Sequence, residues 1–332
     1  MTLPFIITVD TEGDNLWANP VEIETRNAAF LPRFQALCEK HRFRPTYLTD
    51  FEMAISGEYQ EFARDLLRRD TAEIGMHLHA WNTPPLAVNE CATSSGKYLI
   101  EYPQAVMRGK IAFITGLLEE TFGVKMHSHR AGRWAFDERY ARMLSECGYT
   151  SDCSVTPGVS WRRHLGAPDG SGGSDYRGFP SRAYFLNLDN IRKPGDSALL
   201  EVPMTTQRRW ERVASLLDPA AEPFPFARKV RDGLLFPVRW CRPQDRYYEG
   251  FRALVQSLGA SQGYRGLTHL EFMIHSSELM PGGSPYFPSD RHVASLYEFL
   301  EEIFPEIARH CVGMTLREFY AHHCRRSDHA YA

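Results

Sequence analysis

The first hydrophobic run, Leu3 to Val9, is short and rich in β-branched residues, and it stops abruptly at an acidic cluster. A buried parallel strand ends this way where its loop begins. An amphipathic stretch follows from Asn27 to His41, with Phe30, Phe34, Leu37 and Cys38 on one face and Pro32 early enough for a helix to tolerate it. Strands are then predicted over 45–50 and 72–79, with a helix over 59–69 between them. The alternation continues with a helix over 104–122, a strand over 124–129, a helix over 137–147 and a strand around 149–155. Further on, 198–204 and 268–275 read as strands, and 289–304 as a helix whose buried stripe is Val293, Leu296, Tyr297 and Leu300.

Short strands separated by helices imply a parallel sheet. Six or more such units suit a TIM-like barrel better than an open doubly wound sheet, and either fold puts chemistry at strand C-termini. The whole chain, 1–332, is read as one domain with two insertions. The first is a Gly/Ser-rich surface loop at 156–180 that is placed to cover a site, and the second is a mainly helical segment at 208–263 that is basic at Arg228, Lys229 and Arg231.

Composition narrows the function classes. With 43% hydrophobic residues, 12% aromatics and 24% charged residues, the 332-residue chain has material for a substantial core, which excludes disorder and coiled coil. A net charge of -3 without a polybasic run argues against nucleic acid or an anionic membrane as partner. No apolar run approaches the ~20 residues that cross a bilayer. The N-terminus lacks a basic, then apolar, leader pattern. Seven cysteines, an odd number with no C-x-x-C pair, read as reduced thiols, so a cytoplasmic setting is expected.

Four polar clusters fall just after predicted strands. Asp10, Glu12 and Asp14 alternate after the first, as crowded acids that either demand a cation or form a solvated turn with Asp14 as a cap. His77 and His79, two apart and hence on one face, end the third strand. With a carboxylate from the neighbouring unit they make a two-His, one-carboxylate metal site with positions left for water and substrate. A second His-x-His pair, His127 and His129, reads mainly as strand residues, with His129 a candidate to reach the cavity. Arg130 beside it can hold a carboxylate ionised by a bidentate pair. His275 closes the last strand ahead of a Gly/Pro-rich loop. The same triad occurs in nonhaem Fe(II) oxygenases, but the β-α alternation argues against that chemistry.

Thr8-Val-Asp-Thr-Glu12, Glu73-Ile-Gly-Met-His-Leu-His79, Arg130-Ala-Gly-Arg-Trp134 and Met273-Ile-His-Ser-Ser-Glu278, in that order, resemble the motifs of the polysaccharide deacetylases with a NodB-homology domain, carbohydrate esterase family 4. The resemblance runs from strand one to about residue 287, excluding the insertions. It is similar in particular to the branch found with O-antigen and surface-polysaccharide synthesis. It implies a distorted TIM-like (β/α)7 barrel that binds a divalent metal, often zinc, and removes an N-acetyl or related acyl group from a sugar. Carried residue by residue, it implies Asp10 as catalytic base, Glu12 as the metal-binding carboxylate, His77 as the first metal histidine, Arg130 as the residue orienting the base and His275 as the acid that protonates the leaving group; His79 is expected as the other metal ligand from the face it shares with His77.

Trp81, Trp134 and Tyr286 offer flat surfaces for a sugar face, or else belong to the core, and Arg133 and Glu278 are further candidates for substrate contact. This chain departs from the family pattern in its spaced acids, in Trp81 at the usual second-histidine position and in Arg130-Ala-Gly-Arg133. Glu201 is the expected acidic partner of His275. The expected substrate is a nucleotide- or lipid-linked sugar. Competing expectations are a hydrolase of cyclic imides or small amides, and an inactive carbohydrate-binding barrel.

Overall fold

The computed structural model describes residues 2–86, 98–167, 169–208, 238–243, 248–258 and 267–330. Its elements run β1 (Leu3–Thr11), α1 (Leu31–Lys40), β2 (Thr46–Thr49), α2 (Phe51–Ile55), α3 (Gly57–Arg69), β3 (Glu73–Leu78), α4 (Gln104–Phe122), β4 (Ser128–Ala131), α5 (Glu138–Glu146), β5 (Ser151–Asp152), β6 (Tyr184–Phe185) and β7 (Leu200–Glu201). They continue with β8 (Thr206–Arg208), β9 (Val238–Trp240), α6 (Tyr248–Leu258), β10 (Leu270–His275), α7 (Asp290–His310), β11 (Cys311–Met314) and α8 (Leu316–Ala330).

The main sheet is ordered β10-β1-β2-β3-β4-β5-β7-β6, parallel throughout except for β6 at its edge. The seven parallel strands curl into a distorted TIM-like barrel wrapped by helices. β11 pairs with Leu3 to Ile6 of β1. Phe5 and Ile6 already pair with β10, so β11 occupies the opposite edge of β1, ahead of β2. Thr205 and Cys241 line the other edge of β10. Glu271 N–H donates to Thr205 Oγ1 (2.8 Å), and Met273 N–H to the Cys241 carbonyl (3.2 Å), whose own N–H donates to Thr205 O. The buried amides of an otherwise unpaired strand edge are satisfied in this way.

Side-chain alternation along the strands sorts the interior into layers. Every residue of β1 is buried. Leu3, Phe5, Ile7 and Val9 face the helices in the main core, whereas Ile6 joins Leu48, Cys153, Leu200 and Val202 inside the barrel floor. Helix α8 plugs that floor with Leu316 and Phe319. Its first amides, of Leu316 and Arg317, donate to Thr46 Oγ1 (3.0 Å) and the Glu73 carboxylate (2.9 Å), a cap supplied by the barrel itself. Above the apolar floor the interior turns polar at Thr8, Arg130 and Glu271, all fully buried.

The observed strands depart from the sequence reading in places. β4 begins at Ser128 and not at Val124. Val238–Trp240, inside the segment read as helical, is a strand antiparallel to β8, while Tyr248–Leu258 is helical. Residues 209–237, 244–247 and 259–266 of that segment, with Arg228, Lys229 and Arg231, lie outside the described residues. Helix α7 continues through Pro305 to His310.

Candidate functional site

The C-terminal ends of β1, β3, β4 and β10 surround one cavity of about 650 Å³. Asp10 and Glu12, two apart at the end of β1, both line it. The Glu12 backbone is clamped by reciprocal bonds to the Ser276 hydroxyl (both 3.1 Å) and by Asn27 Nδ2–H donating to its carbonyl (2.9 Å). Asp14 turns away from the cavity. It accepts from the Asn27 amide (3.0 Å), the Asn27 side chain (2.6 Å) and the Arg26 amide (3.2 Å), and is neither a ligand in this cluster nor a solvated cap.

From β3, His77 and His79 face the same acids. His77 Nδ1 lies 2.9 Å from the Arg130 carbonyl, to which it can only donate, so its Nε2 lone pair is left for the centre. That Nε2 stands 3.6 Å from Glu12 Oε2 and 3.9 Å from Asp10 Oδ2. His79 Nε2 lies 2.9 Å from Glu12 Oε2, and its Nδ1 is buried without a partner. The His79 ring is wedged between Trp81, 4.3 Å away between centroids, and Gly132. A Cβ on Gly132 would come within 2.6 Å of His79 Nδ1 and 2.5 Å of the Leu78 carbonyl, so only glycine lets β4 approach this closely.

Arg130, wholly buried, is the hub beneath this layer. Its Nη1 donates to Asp10 Oδ1 (2.5 Å), its Nε to the Cys153 carbonyl (3.0 Å), and its Nη2 to Thr8 Oγ1 (2.9 Å) and to Glu271. The expected bidentate pair with one carboxylate is thus a bridge between two. Burial opposes charge on Asp10, but Arg130, His77 and His275 outweigh it and hold the carboxyl below its usual range. Burial opposes Glu12 too, and His275, His77 and His79 hold its carboxyl well down. For Glu271 burial wins over Arg130 and Thr8, pushing it to about 7, and its unpartnered Oε2 has room for the proton. The two histidines diverge. Burial pulls both down, yet Asp10 and Glu12 lift His77, whereas His79 stays lowered beside it.

His275, at the end of β10, closes the ring. Its Nε2 is 3.7 Å from Glu12 Oε1 and 3.9 Å from Asp10 Oδ2. Its partner is Glu278, which is completely buried, accepts from the His275 amide (2.9 Å) and lies 3.3 Å from Nδ1. Glu201 instead accepts from Val155 N–H behind β5, where burial and Asp152 push it well up. The expected roles are therefore redrawn: Glu278, expected to touch substrate, lies beneath His275, and Glu201 does not reach that histidine. His129 also points away from the cavity, toward α5, where it binds Asp152 (2.5 Å) and the Tyr140 hydroxyl (2.8 Å). This is what strand alternation requires when Arg130 faces inward.

Arg133 and Trp134 line the cavity from a turn in which both residues have positive φ (56° and 59°). Such conformations cost on the order of 1–3 kcal/mol each and persist where the surroundings enforce them. Here Tyr176 Oη–H donates to the Trp134 carbonyl (2.5 Å), and Arg133 stacks on Tyr98 (4.3 Å). Between ring centroids Trp134 lies 6.5 Å from Trp161, of the 156–180 loop, and 6.4 Å from Trp240, of β9, and those two lie 6.1 Å apart. Trp81 and Tyr286 also line the cavity, and Trp17 stands edge-on to His275 at 4.8 Å. Sequence reasoning missed Trp17, Trp161, Trp240 and Arg242, which sit in turns and insertions without periodicity. It also missed Glu271, whose inward position on β10 was the available signal.

The donors suit a divalent cation. Among the described residues one cluster of three, Glu12, His77 and His79, brings its ligand atoms within 4.8 Å of one another. Bonds of ~2.0–2.2 Å to a tetrahedral ion place ligand atoms roughly 3.3–3.5 Å apart. The separations of 2.9 and 3.6 Å found here bracket that value. Besides Arg130, the imidazoles supply the positive charge that holds Asp10 and Glu12 ionised, and a divalent ion would supply that charge in their place once the ligand nitrogens give up their protons.

No protein-family model and no curated protein sequence matches the chain. Solved structures do. A Parabacteroides distasonis protein provisionally described as a glycoside hydrolase/deacetylase aligns over 96% of this chain and 71% of its own, at TM-score 0.61 and 11% identity. A Mycobacterium smegmatis protein provisionally described as a polysaccharide deacetylase aligns over 98% and 92%, at TM-score 0.54 and 15% identity. The 4-alpha-glucanotransferase of Thermococcus litoralis aligns over 97% of this chain but 40% of its own, at TM-score 0.52 and 11% identity. At these identities the likeness is one of fold.

Proposed function

We propose that this barrel is a metal-dependent deacetylase that hydrolyses the amide of an N-acylated amino sugar, with Glu12, His77 and His79 holding a divalent ion, zinc by preference for that donor set. The observation that carries the reading is the meeting of three strand ends at one point, where an ionised Asp10, an imidazole Nε2 from His275 and the three ligand atoms face one another. The ordered motif resemblance and the fold shared with deacetylase-described proteins support the substrate class.

A divalent ion held by Glu12, His77 and His79 would supply Lewis acidity toward the acyl carbonyl and the attacking water. Asp10 accepts the water proton. Its Oδ1 is occupied by Arg130, so the proton goes to Oδ2, the oxygen that faces both histidines. Arg130 keeps Asp10 ionised until then. The water oxygen bonds to the carbonyl carbon, the C–N bond breaks, and His275 Nε2–H supplies the proton without which the nitrogen cannot leave. Water plus amide thereby gives acetate and free amine. The aromatic wall of Trp134, Trp161 and Trp240 provides faces for sugar stacking.

The finer reading is a nucleotide- or lipid-linked precursor of O-antigen or another surface polysaccharide, met in the cytoplasm. Acetate release from N-acetylated nucleotide sugars, oligosaccharides and cyclic imides, measured with zinc-loaded protein, tests it. Asp10→Asn should abolish release while zinc stays bound. Undiminished turnover in Asp10→Asn, or turnover of imides alone, would overturn it.

A further inference from the structure

His275 is gripped from the side opposite the centre by a group that no sequence motif announces. Arg242, just past β9, places Nη2 2.8 Å from His275 Nδ1 and 2.7 Å from Glu278 Oε1. Glu278 in turn accepts the His275 backbone amide at 2.9 Å, so imidazole, guanidinium and carboxylate close a ring of contacts. The carboxylate is fully buried and the Arg242 side chain 11% exposed, so little water competes. Its Nε is buried with no partner, so the two Nη2 contacts, with the Tyr286 ring 6.0 Å from the guanidinium carbon, fix its position. Trp17 stands edge-on to the same imidazole, limiting its tilt.

Hydrogen-bond polarity then decides where the ring carries its proton. A guanidinium only donates, so a 2.8 Å contact to Nδ1 requires a lone pair there, and the proton must sit on Nε2. Glu278 Oε2, at 3.3 Å, would accept from a protonated Nδ1, but the shorter arginine contact claims that atom first. We propose that Arg242 is a positioning residue for His275: by occupying Nδ1 and bracing against Glu278, it keeps the N–H on Nε2 and aimed at the space between Asp10 and Glu12. When the neutral ring gives its Nε2 proton to the leaving nitrogen it becomes an imidazolate, and the guanidinium on Nδ1 offsets that developing negative charge. The insertion between β7 and β10 thus supplies part of the site that the strand-end motifs leave incomplete.

The proposal rests on the deacetylase reading only for its kinetic consequence, so the experiment has two arms. Long-range 1H–15N spectra of 15N-histidine-labelled, zinc-loaded protein, with His275 assigned by its loss in His275→Gln, report the tautomer whatever the activity. The parent should show Nδ1 unprotonated and Nε2 protonated. Arg242→Met should move the proton to Nδ1, toward Glu278, or average the two forms, while Arg242→Lys, which keeps a donor, should hold the parent pattern. A protonated Nδ1 in the parent, or an unchanged tautomer in Arg242→Met, overturns the proposal. If Arg242→Met does not fold, the parent and Arg242→Lys spectra decide. In the kinetic arm kcat for acetate release should fall at least about tenfold in Arg242→Met with KM unchanged, and recover in part in Arg242→Lys. No acetate release from any variant, with the parent tautomer as stated, would sink the deacetylase reading and leave the Arg242 assignment standing.

Discussion

Replacing Arg130 by Met removes the cation that pairs with Asp10 on the floor side of the cavity and tests the electrostatic core of the site. The side chain is 0% exposed and donates to Asp10, Thr8, Glu271 and the Cys153 carbonyl. Breaking a buried pair from one side costs roughly 3–5 kcal/mol, because the remaining carboxylate stays buried and uncompensated. Protonation of Glu271, pushed to about 7 even with Arg130 present, limits the damage, so the lower half of that range is expected. At about 2.1 cal/mol/K per residue the 332-residue chain unfolds with roughly 0.7 kcal/mol/K, so each kcal/mol shifts Tm by about 1.4 °C and the fall is on the order of 4–6 °C by calorimetry at pH 7. The activity should change in a direction that simple destabilisation does not produce. Without Arg130, burial dominates Asp10 and raises its pKa, so the acid limb of kcat/KM should move to higher pH. The sign follows from linkage. A carboxyl held low in the folded state contributes stability above its unfolded value, lost as pH falls through the folded one, and Arg130→Met gives up that contribution. Arg130→Lys keeps the charge without the planar fork and should lie between. An unchanged Tm, or an acid limb that stays in place while activity falls, would refute the reasoning.

Two further substitutions probe neighbouring layers. Glu271 has a folded pKa of about 7 against an ordinary 4.5, so its contribution is full below about pH 4.5 and decreases by about 3 kcal/mol as pH rises to 7. Glu271→Gln should flatten that slope in urea unfolding at pH 5 and pH 8, and an undiminished slope would count against it. Gly132→Ala drives a methyl into the Leu78 carbonyl and the His79 ring, and should weaken zinc binding by about 10–100-fold in competition titrations with the fold retained; parent-like affinity would contradict the packing argument.

The strands that end in chemistry were the most legible part of this chain. β1, β3 and β10 carry dense apolar outward faces (Phe5, Ile7 and Val9; Ile74, Met76 and Leu78; Leu270, Phe272 and Ile274), and the polar residues after them fall at the cavity rim. β4 was misplaced because its inward residues, Ser128 and Arg130, feed a polar interior, so hydrophobic alternation points to the wrong register there. That error also left His129 as a cavity candidate when it belongs to the helix-facing side. Glu278 was overlooked as the histidine's partner because the acid sought was on another strand, where Glu201 lies, whereas Glu278 reaches His275 through a tight turn at Ser276–Leu279. Arg242 and Trp240 had no signal at all. They sit in an insertion, and only the way the chain closes the gap between β7 and β10 brings them to the cavity. β11 escaped notice because it is four residues long, with Val312 exposed and Gly313 packed against the Phe43 backbone.

Anomalous diffraction at the zinc absorption edge, from crystals grown with zinc, reports whether one divalent ion binds where β1 and β3 end. A single strong peak bonded to Glu12, His77 and His79 at ~2.0–2.2 Å, lost in Glu12→Ala, is the expected result. A strong zinc peak elsewhere with this cluster empty, or a peak that survives in Glu12→Ala, would contradict it.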